Sequence, residues 1–434
     1  MTTTPTAPVP LRRNREYLLW FTGDVAAGIG SGIGQFAYPL IAFAVTGSLS
    51  AAGIVGMCGA TALLVGMLPG GVIADRVDRR RLRMLSGALG VATQVLLVAV
   101  LLAGVASLAV LAALTVVDRL RGALLGSASD AMLKRLAHPS QFPAAMSANQ
   151  GRDAAIELGT APAGGALLGV HIAMPAVMQG VGHLLSLLCT WGMHGDYRPR
   201  DAETERAHPI ADLVDGGRWM LRQQARVQIA LAAALANAGS NGAFLALTLA
   251  LAADGVSAVR IGLLTTAFAV ALIIGSLVAP ALVRTVPTGV LAIIVLVLVA
   301  GFALAMPLAS SMWVISALWA GTGLCVAPLN AAVMGFFLQI TPNEMQGRAG
   351  AMTGLLAMGL MPLATAFAGF GLDHLGRVPT LATFAAVCAL GAVVLAAGRQ
   401  ARRIPASPLW GDYARGEGLV PAQGDLAATG AVDR

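Results

Sequence analysis

Seven ionisable side chains stand inside long apolar runs of this chain: Asp24, then Asp118, Arg119 and Arg121, then Arg152, Asp153 and Glu157. A charge held away from water costs a few kcal/mol or more, so each such group needs a partner or a task. Asp118 and Arg121 are three residues apart and can pair on one helical face; Asp153 and Glu157 are four apart and point the same way. Two carboxylates close together in low dielectric raise the pKa of at least one, which yields a group able to load and release a proton near neutral pH. Two readings stay open for these residues. They are structural ion pairs (Arg152 with Asp153 or Glu157, Asp118 with Arg121), or they handle protons. The apolar runs of the second half hold neutral polar groups instead, and Asn237, Asn241 and Asn330 are candidates for lining a substrate cavity. His183 and the methionines Met132, Met174 and Met178 read as packing. Cys58, Cys189, Cys325 and Cys388 each sit in an apolar run with no CxxC or Cys/His spacing, so no metal is expected. Neither a P-loop, an HExxH helix nor a nucleophile elbow is present, so neither ATP drive nor enzyme chemistry is expected, and no cofactor is implied.

The elements that carry these residues follow from composition. Only 11% of the 434 residues are charged and 57% are hydrophobic, with a mean hydropathy of +0.77. Soluble domains carry about 25% charged residues, so this chain could not cover a soluble surface; a lipid-facing one may be apolar. A spanning helix takes about 20 mostly apolar residues. Spans are expected at 17–45, 49–74, 82–104, 106–133, 143–168, 172–194, 226–252, 257–283, 287–307, 310–339, 346–372 and 379–398, twelve in all. The net charge of +7 comes from arginines in short loops between the runs, as membrane orientation demands, and not from a nucleic-acid face. Alternate loops hold Arg12, Arg13 and Arg15; Arg76, Arg79, Arg80, Arg81 and Arg83; Lys134 and Arg135; then Arg198 to Arg226, Arg284, Arg348, and Arg399 to Arg403, while the opposite loops hold only Arg260 and Arg377. This bias places both termini in the cytoplasm and suits an even number of spans. Glycines such as Gly28, Gly30, Gly32, Gly34, Gly159, Gly164 and Gly165 are expected to let helix backbones approach closely.

Residues 1–16 read as a cytoplasmic segment without the features of a signal peptide. Residues 17–194 and 226–398 read as two six-helix bundles. Between them, 195–225 forms a cytoplasmic linker in which Ile210, Leu213, Trp219, Met220 and Leu221 alternate with Asp212, Asp215, Arg218 and Arg222 as a short amphipathic helix. The tail, 399–434, is polar and is expected to be disordered. The halves resemble each other. Gln150-Gly151-Arg152 opens the fifth span and Gln346-Gly347-Arg348 the eleventh; Pro139 and Pro342 precede these, and Pro162 and Pro362 follow. Duplicated six-helix halves about a midplane site are a known transporter plan. The expected fold is therefore an all-α integral membrane protein of twelve helices in two pseudo-symmetric bundles with a central cavity between them.

One loop points to a family. Gly71-Val-Ile-Ala-Asp75-Arg76-Val-Asp78-Arg79-Arg80-Arg81 resembles the signature between helices two and three of the major facilitator superfamily: Gly, three residues, Asp, Arg, any, Gly, Arg, Arg. Asp78 stands where the second Gly is usual. Gly71 is expected to permit close packing at the end of the second span. The resemblance implies that Asp75 caps the N-terminus of the eleventh helix, near Gln346, Gly347 and Arg348, and latches the cytoplasmic side. It extends to Trp20-Phe-Thr-Gly23, Tyr38-Pro39-Leu40, Thr46-Gly47-Ser48, Ala163-Gly164-Gly165 and Gly347-Arg348, which look like a bacterial branch of enterobactin-exporter-like and macrolide-efflux-like proteins. Two departures stand out. Asp24 and Ser31 replace the branch's Gln and Asp, and Ala161-Pro162-Ala163-Gly164-Gly165 is one residue short of the antiporter pattern in helix five.

The expected function is alternating-access transport by a plasma-membrane monomer. The leading form is proton-coupled export of an amphiphilic antibiotic, siderophore or other natural product; the alternative is import or facilitated passage of a small metabolite. Partners would then be a small molecule, protons and the bilayer, with the proton gradient as energy source.

Overall fold

A computed structural model describes residues 9–198, 209–342 and 345–419, with side chains at 130, 131, 134, 139, 209–213 and 347 left aside. Every regular element among the described residues is helical. In order they are α1 (Arg15–Thr46), α2 (Leu49–Arg76), α3 (Arg79–Leu102), α4 (Leu108–Leu125), α5 (Ser127–Leu136), α6 (Phe142–Val170) and α7 (Met174–Trp191). The linker helix α8 (Pro209–Leu221) follows. Then come α9 (Gln224–Ala253), α10 (Ala258–Thr285), α11 (Thr288–Ala305), α12 (Met312–Ile340), α13 (Gln346–Met358), α14 (Met361–His374), α15 (Arg377–Ala397), α16 (Arg399–Arg402) and α17 (Trp410–Gly416).

Each expected span coincides with helix. Two are divided. The fourth breaks at Gly126 into α4 and α5. The eleventh turns at Gly359 and Leu360 into α13 and α14, just before Pro362, which lacks an N–H and disfavours helix in the residue before it. Helix starts follow local chemistry. The side chains of Asn14, Ser48, Asp78 and Ser107 accept from the backbone N–H groups of Tyr17, Ala51, Arg80 and Val110 at 3.2, 3.2, 2.9 and 3.4 Å. Gly47 ends α1 with φ +68°, a left-handed conformation that glycine adopts without penalty.

Nine of the described spans are long and apolar enough to cross a membrane, which makes this a multi-pass membrane protein. The three helical positions that fall short are α4, α6 and α7. They are the helices that carry Asp118, Arg119 and Arg121; Arg152, Asp153 and Glu157; and Gln179 and His183. Their polarity is local and concentrated in the first half.

The chain divides into two compact units, Met1–Pro209 with Leu251–Thr266, and Ile210–Ala250 with Ala267–Arg434. The boundary differs from the expected one: residues 251–266 belong to the first unit, where the Thr266 hydroxyl donates to the Leu158 carbonyl at 3.3 Å. In the first unit α1 packs along α6 and α7, α2 along α4, and α3 along α7. Close backbone approach carries these contacts. A Cβ on Gly30 would lie 3.0 Å from the Gln179 Cα, and one on Gly28 would lie 2.8 Å from the Ile156 side chain.

In the second unit, α8 lies on protein as well as presenting a polar face. Trp219 meets Phe337 of α12 edge-on with ring centroids 5.8 Å apart. Gly216 abuts the Arg348 carbonyl, and Met220 is buried with Ala230, Phe337 and Ala349. The Arg226 guanidinium lies 3.7 Å from the Trp219 ring centroid and donates to the carbonyls of Trp219 and Leu419 at 2.8 and 2.7 Å. Residues 210–225, part of the stretch 195–225 read as a cytoplasmic linker with an amphipathic helix, thus belong to the second unit. Residues 199–208 lie outside the described residues.

The tail corrects the expectation of disorder as far as Leu419. Ala401, Ile404, Ala414 and Leu419 are buried in a core with Phe336, Ile340 and Leu395, and Trp410 and Tyr413 pack against it. Trp410 Nε1 donates to the Thr288 hydroxyl at 2.9 Å and the Pro405 carbonyl at 3.0 Å. The low hydropathy of this stretch concealed a few apolar anchors spaced to cover one groove. Residues 1–8 and 420–434 lie outside the described residues.

Candidate functional site

Two polar clusters are built inside the first unit. The deeper one centres on Asp118 of α4, which is only 4% exposed. Its Oδ1 accepts from Arg121 Nη2, one turn along, at 3.0 Å, and its Oδ2 from Gln179 Nε2 of α7 at 3.0 Å. Gln94 of α3 approaches Oδ1 at 3.5 Å and donates to the Tyr38 hydroxyl of α1 at 2.8 Å. Arg121 continues to Ser86 Oγ at 2.8 Å and to His183 Nε2 at 3.1 Å. A guanidinium can only donate, so His183 Nε2 is the acceptor and that ring is a neutral imidazole with its proton on Nδ1. Small residues make the room: a Cβ on Gly90 would lie 2.6 Å from the His183 ring, and one on Gly34 would meet the Gln179 amide. Among the described residues no donor meets the buried side-chain oxygens of Gln94 and Gln179.

The expected Asp118–Arg121 pair therefore forms, and His183, read as packing, is part of it. Gln94, Gln179 and Tyr38 were not expected there. The signal that could have found them is a glutamine in the middle of an apolar run, since a primary amide in hydrocarbon also needs partners.

The second cluster lies toward the loops of α1, α3, α5 and α6. Asp24 is held by Arg83 at 2.9 Å and by Arg152 at 2.7 Å. Ser129 Oγ donates to Asp24 and accepts from Arg83, and Trp20 Nε1 donates to the same hydroxyl at 3.0 Å. Arg152 also pairs with Asp153 at 2.8 Å and stacks 5.7 Å from the Phe21 ring. Arg83, which the sequence suggested only as a topology signal, is 5% exposed and serves as the buried counter-ion.

The structure does not bring Asp153 and Glu157 into a buried pair. Both are exposed, and Asp153 is spent on Arg152. Their four-residue spacing puts them on one face, but that face is not covered within the described residues. Asn237, Asn241 and Asn330 are likewise exposed; Asn237 donates to the Ala357 carbonyl at 3.2 Å and Asn241 to the Asn237 carbonyl at 2.9 Å.

The α2–α3 loop shows a local logic. Asp78, where the signature has glycine, caps α3 through its 2.9 Å bond from the Arg80 N–H. Arg80 in turn caps the other end of α7, donating to the carbonyls of Thr190 at 3.2 Å and Trp191 at 2.9 Å; a cation there also suits the helix dipole. Arg79 is buried and donates to the Ala74 carbonyl at 3.3 Å. Tyr197 donates to Glu16 at 2.7 Å, and burial with that bond pushes its phenol above the usual range. Gly71 does not make the close contact expected of it: a Cβ there meets nothing within 4 Å among the described residues, whereas one on Gly70 would strike the Ala123 carbonyl of α4. Asp75 is half-buried and Arg76 exposed. Arg348 of the second unit lies 3.5 Å from Asp215 of α8.

Residues 21–228 match the sequence model of the Major Facilitator Superfamily. No curated protein matches the chain in sequence. Several solved structures share its fold. A bacterial homologue of the iron transporter ferroportin, in an inward-facing state, aligns with TM-score 0.68 and 16% identity over 90% of this chain and 99% of its own. A nucleoside transporter gives 0.66 and 12% over 87% and 99%. A D-xylose–proton symporter gives 0.61 and 15% over 89% and 98%. The chain thus has the all-helical fold of major facilitator transporters, with that superfamily's sequence pattern in residues 21–228.

Proposed function

We propose that this chain is a secondary active transporter of the major facilitator superfamily that works by alternating access and exports an amphiphilic small molecule in exchange for protons. The Asp118 cluster carries the proposal. A carboxylate 4% exposed, on a helix expected to span the membrane, is costly unless it works. Its surroundings suit both of its protonation states. Charged, it is held by Arg121 and the Gln179 amide. Protonated, its new O–H can be accepted by Gln94 or Gln179 once the side-chain amide turns over, since each presents its Nε2 to Asp118 and has a buried Oε1 that no donor meets among the described residues. Loss of the charge removes the attraction that holds Arg121, and Arg121 then leans on Ser86 and His183 alone. A proton landing on Asp118 thereby breaks the pair within α4 and frees Arg121 to shift toward Ser86 and His183, which is the kind of two-state element that coupling needs. Asp24, Arg152, Asp153 and Glu157 are secondary candidates for the same task, and Asn237, Asn241 and Asn330 for substrate contact. Gly71, Asp75, Arg76, Arg79 and Arg80 in the first unit, and Arg348 in the second, are candidates for a conformational latch in this reading, supported by the loop signature.

The arginine-rich loops support a plasma-membrane protein with cytoplasmic termini, and the proposed unit is a monomer powered by the proton gradient. The alternative direction, uptake, has a D-xylose–proton symporter among the fold relatives as its support. The test is accumulation of a panel of amphiphilic antibiotics in a pump-deficient bacterium, with and without a protonophore. Lower accumulation that the protonophore and Asp118→Asn both reverse is the expected result. Unchanged accumulation with a well-inserted protein, together with proton-dependent uptake of a metabolite, would reverse the direction.

A further inference from the structure

Arg119 is a cation that neither cluster uses. It sits 11 residues from the Leu108 end of α4, about 16 Å along the axis at 1.5 Å per residue. Among the described residues its one hydrogen bond is a long one, Nη1 to the Oε1 of Gln35 at 3.5 Å. Gln35 is 11 residues from the Thr46 end of α1, hence also about 16 Å in. Half of a hydrocarbon core is about 15 Å, so both lie near the midplane. An arginine stem cannot snorkel that distance to either interface. Among the described residues no carboxylate lies within ion-pair distance of Arg119; Asp118 beside it is spent on Arg121, Gln94 and Gln179.

Its position on the helix matters. Val117, 48% exposed, precedes Arg119 by two residues, or about 200° of helical rotation. Thus α4 shows two accessible faces, one apolar at Val117 and one carrying Arg119 beside the exposed Gln35 of α1. The first suits lipid; the second does not. The arginine stem lies along α2: a Cβ on Gly59 would stand 3.5 Å from the Arg119 Cγ, an ordinary contact. Among the described residues most of the five guanidinium N–H donors are unspent, and their planar fork matches an anionic oxygen pair.

We propose that Arg119, with Gln35, forms a water-accessible midplane site for the anionic group of a transported organic anion, a carboxylate or comparable oxyanion. This deepens the transport reading by naming a substrate class, and rests on it only for the claim that the bound anion is moved.

The experiment uses the full chain with Cys58, Cys189, Cys325 and Cys388 replaced by serine and Gln35→Cys introduced. Labelling rates are measured in membranes with an anionic and a cationic methanethiosulfonate, sulfonatoethyl and trimethylammonioethyl, with Arg119 present and with Arg119→Gln. If Arg119 concentrates anions in a wet site, the anionic reagent reacts, and the anionic-to-cationic rate ratio falls about tenfold in Arg119→Gln. An unchanged ratio, or no reaction with either reagent in folded protein, overturns the site. Should Gln35→Cys not insert, Ser31→Cys, half-buried and one turn earlier on the same face of α1, is read in the same way. Transport is scored separately, in inside-out vesicles of wild type and Arg119→Gln given carboxylic acids and their methyl esters. A retained labelling ratio with no transport of any compound would sink the transport reading and leave the anion site standing; transport of acids that Arg119→Gln leaves intact would sink the substrate assignment.

Discussion

Oδ1 of Asp118 accepts from Nη2 of Arg121 at 3.0 Å, three residues along the same helix, with both side chains less than a tenth exposed. A buried ion pair of this kind contributes little net stability, because desolvation offsets attraction, but removing one partner strands the other. Arg121→Ala should therefore lower stability by about 3–5 kcal/mol, and Asp118→Asn together with Arg121→Gln should recover much of it. Thermal unfolding of the purified variants checks this; a double variant as weak as Arg121→Ala alone would show that the charge is not what is stranded.

Asp118→Asn alone should fold, since the amide keeps the shape and can still accept from Gln179. It should retain substrate binding and lose proton-driven transport. Exchange of unlabelled for labelled substrate across vesicles without a proton gradient, compared with gradient-driven flux, separates the two.

Asp78→Ala removes the cap of α3 and should cost about 0.5–2 kcal/mol, whereas Asp78→Gly, which restores the signature residue, should cost only a few tenths. Equal losses in both, measured by thermal unfolding, would mean that the 2.9 Å bond to the Arg80 N–H is not what Asp78 supplies.

Gly70→Ala and Gly71→Ala are neighbours with opposite expected outcomes. A Cβ on Gly70 strikes the Ala123 carbonyl, which is backbone and cannot turn aside; overpacking of this kind costs about 1–3 kcal/mol. A Cβ on Gly71 meets nothing within 4 Å, and alanine is the better helix former by up to about 1 kcal/mol. The yield of folded protein and its melting temperature should fall for the first and hold or rise for the second.

Trp410→Ala removes a ring that packs against Phe336 with centroids 5.9 Å apart and a bond to Thr288 at 2.9 Å. The second unit should lose about 2–4 kcal/mol, below the 3–5 of a fully buried tryptophan because Trp410 is half-covered. Truncation after Arg403 should do at least as much. Limited proteolysis would show the effect as early cleavage in α8, because Leu419 supplies a carbonyl to Arg226, which covers Trp219.

The helices themselves were legible in the chain, since apolar length is a local property and the bilayer supplies its scale. So was the Asp118–Arg121 pair, because three-residue spacing puts two side chains on one face whatever surrounds the helix. Charge density even marked which helices hold the clusters. The partners of those charges were not legible. Arg83 with Asp24, Gln179 with Asp118, and Asp215 with Arg348 are pairs far apart in sequence that only packing brings within 2.9, 3.0 and 3.5 Å. Gly70 and Gly71 are indistinguishable in sequence, and helix rotation alone assigns the contact to Gly70. The fate of the tail was decided in the same way. Hydropathy averages over a window, but burial depends on whether a few residues, Trp410, Tyr413 and Leu419 among them, meet a groove of matching shape.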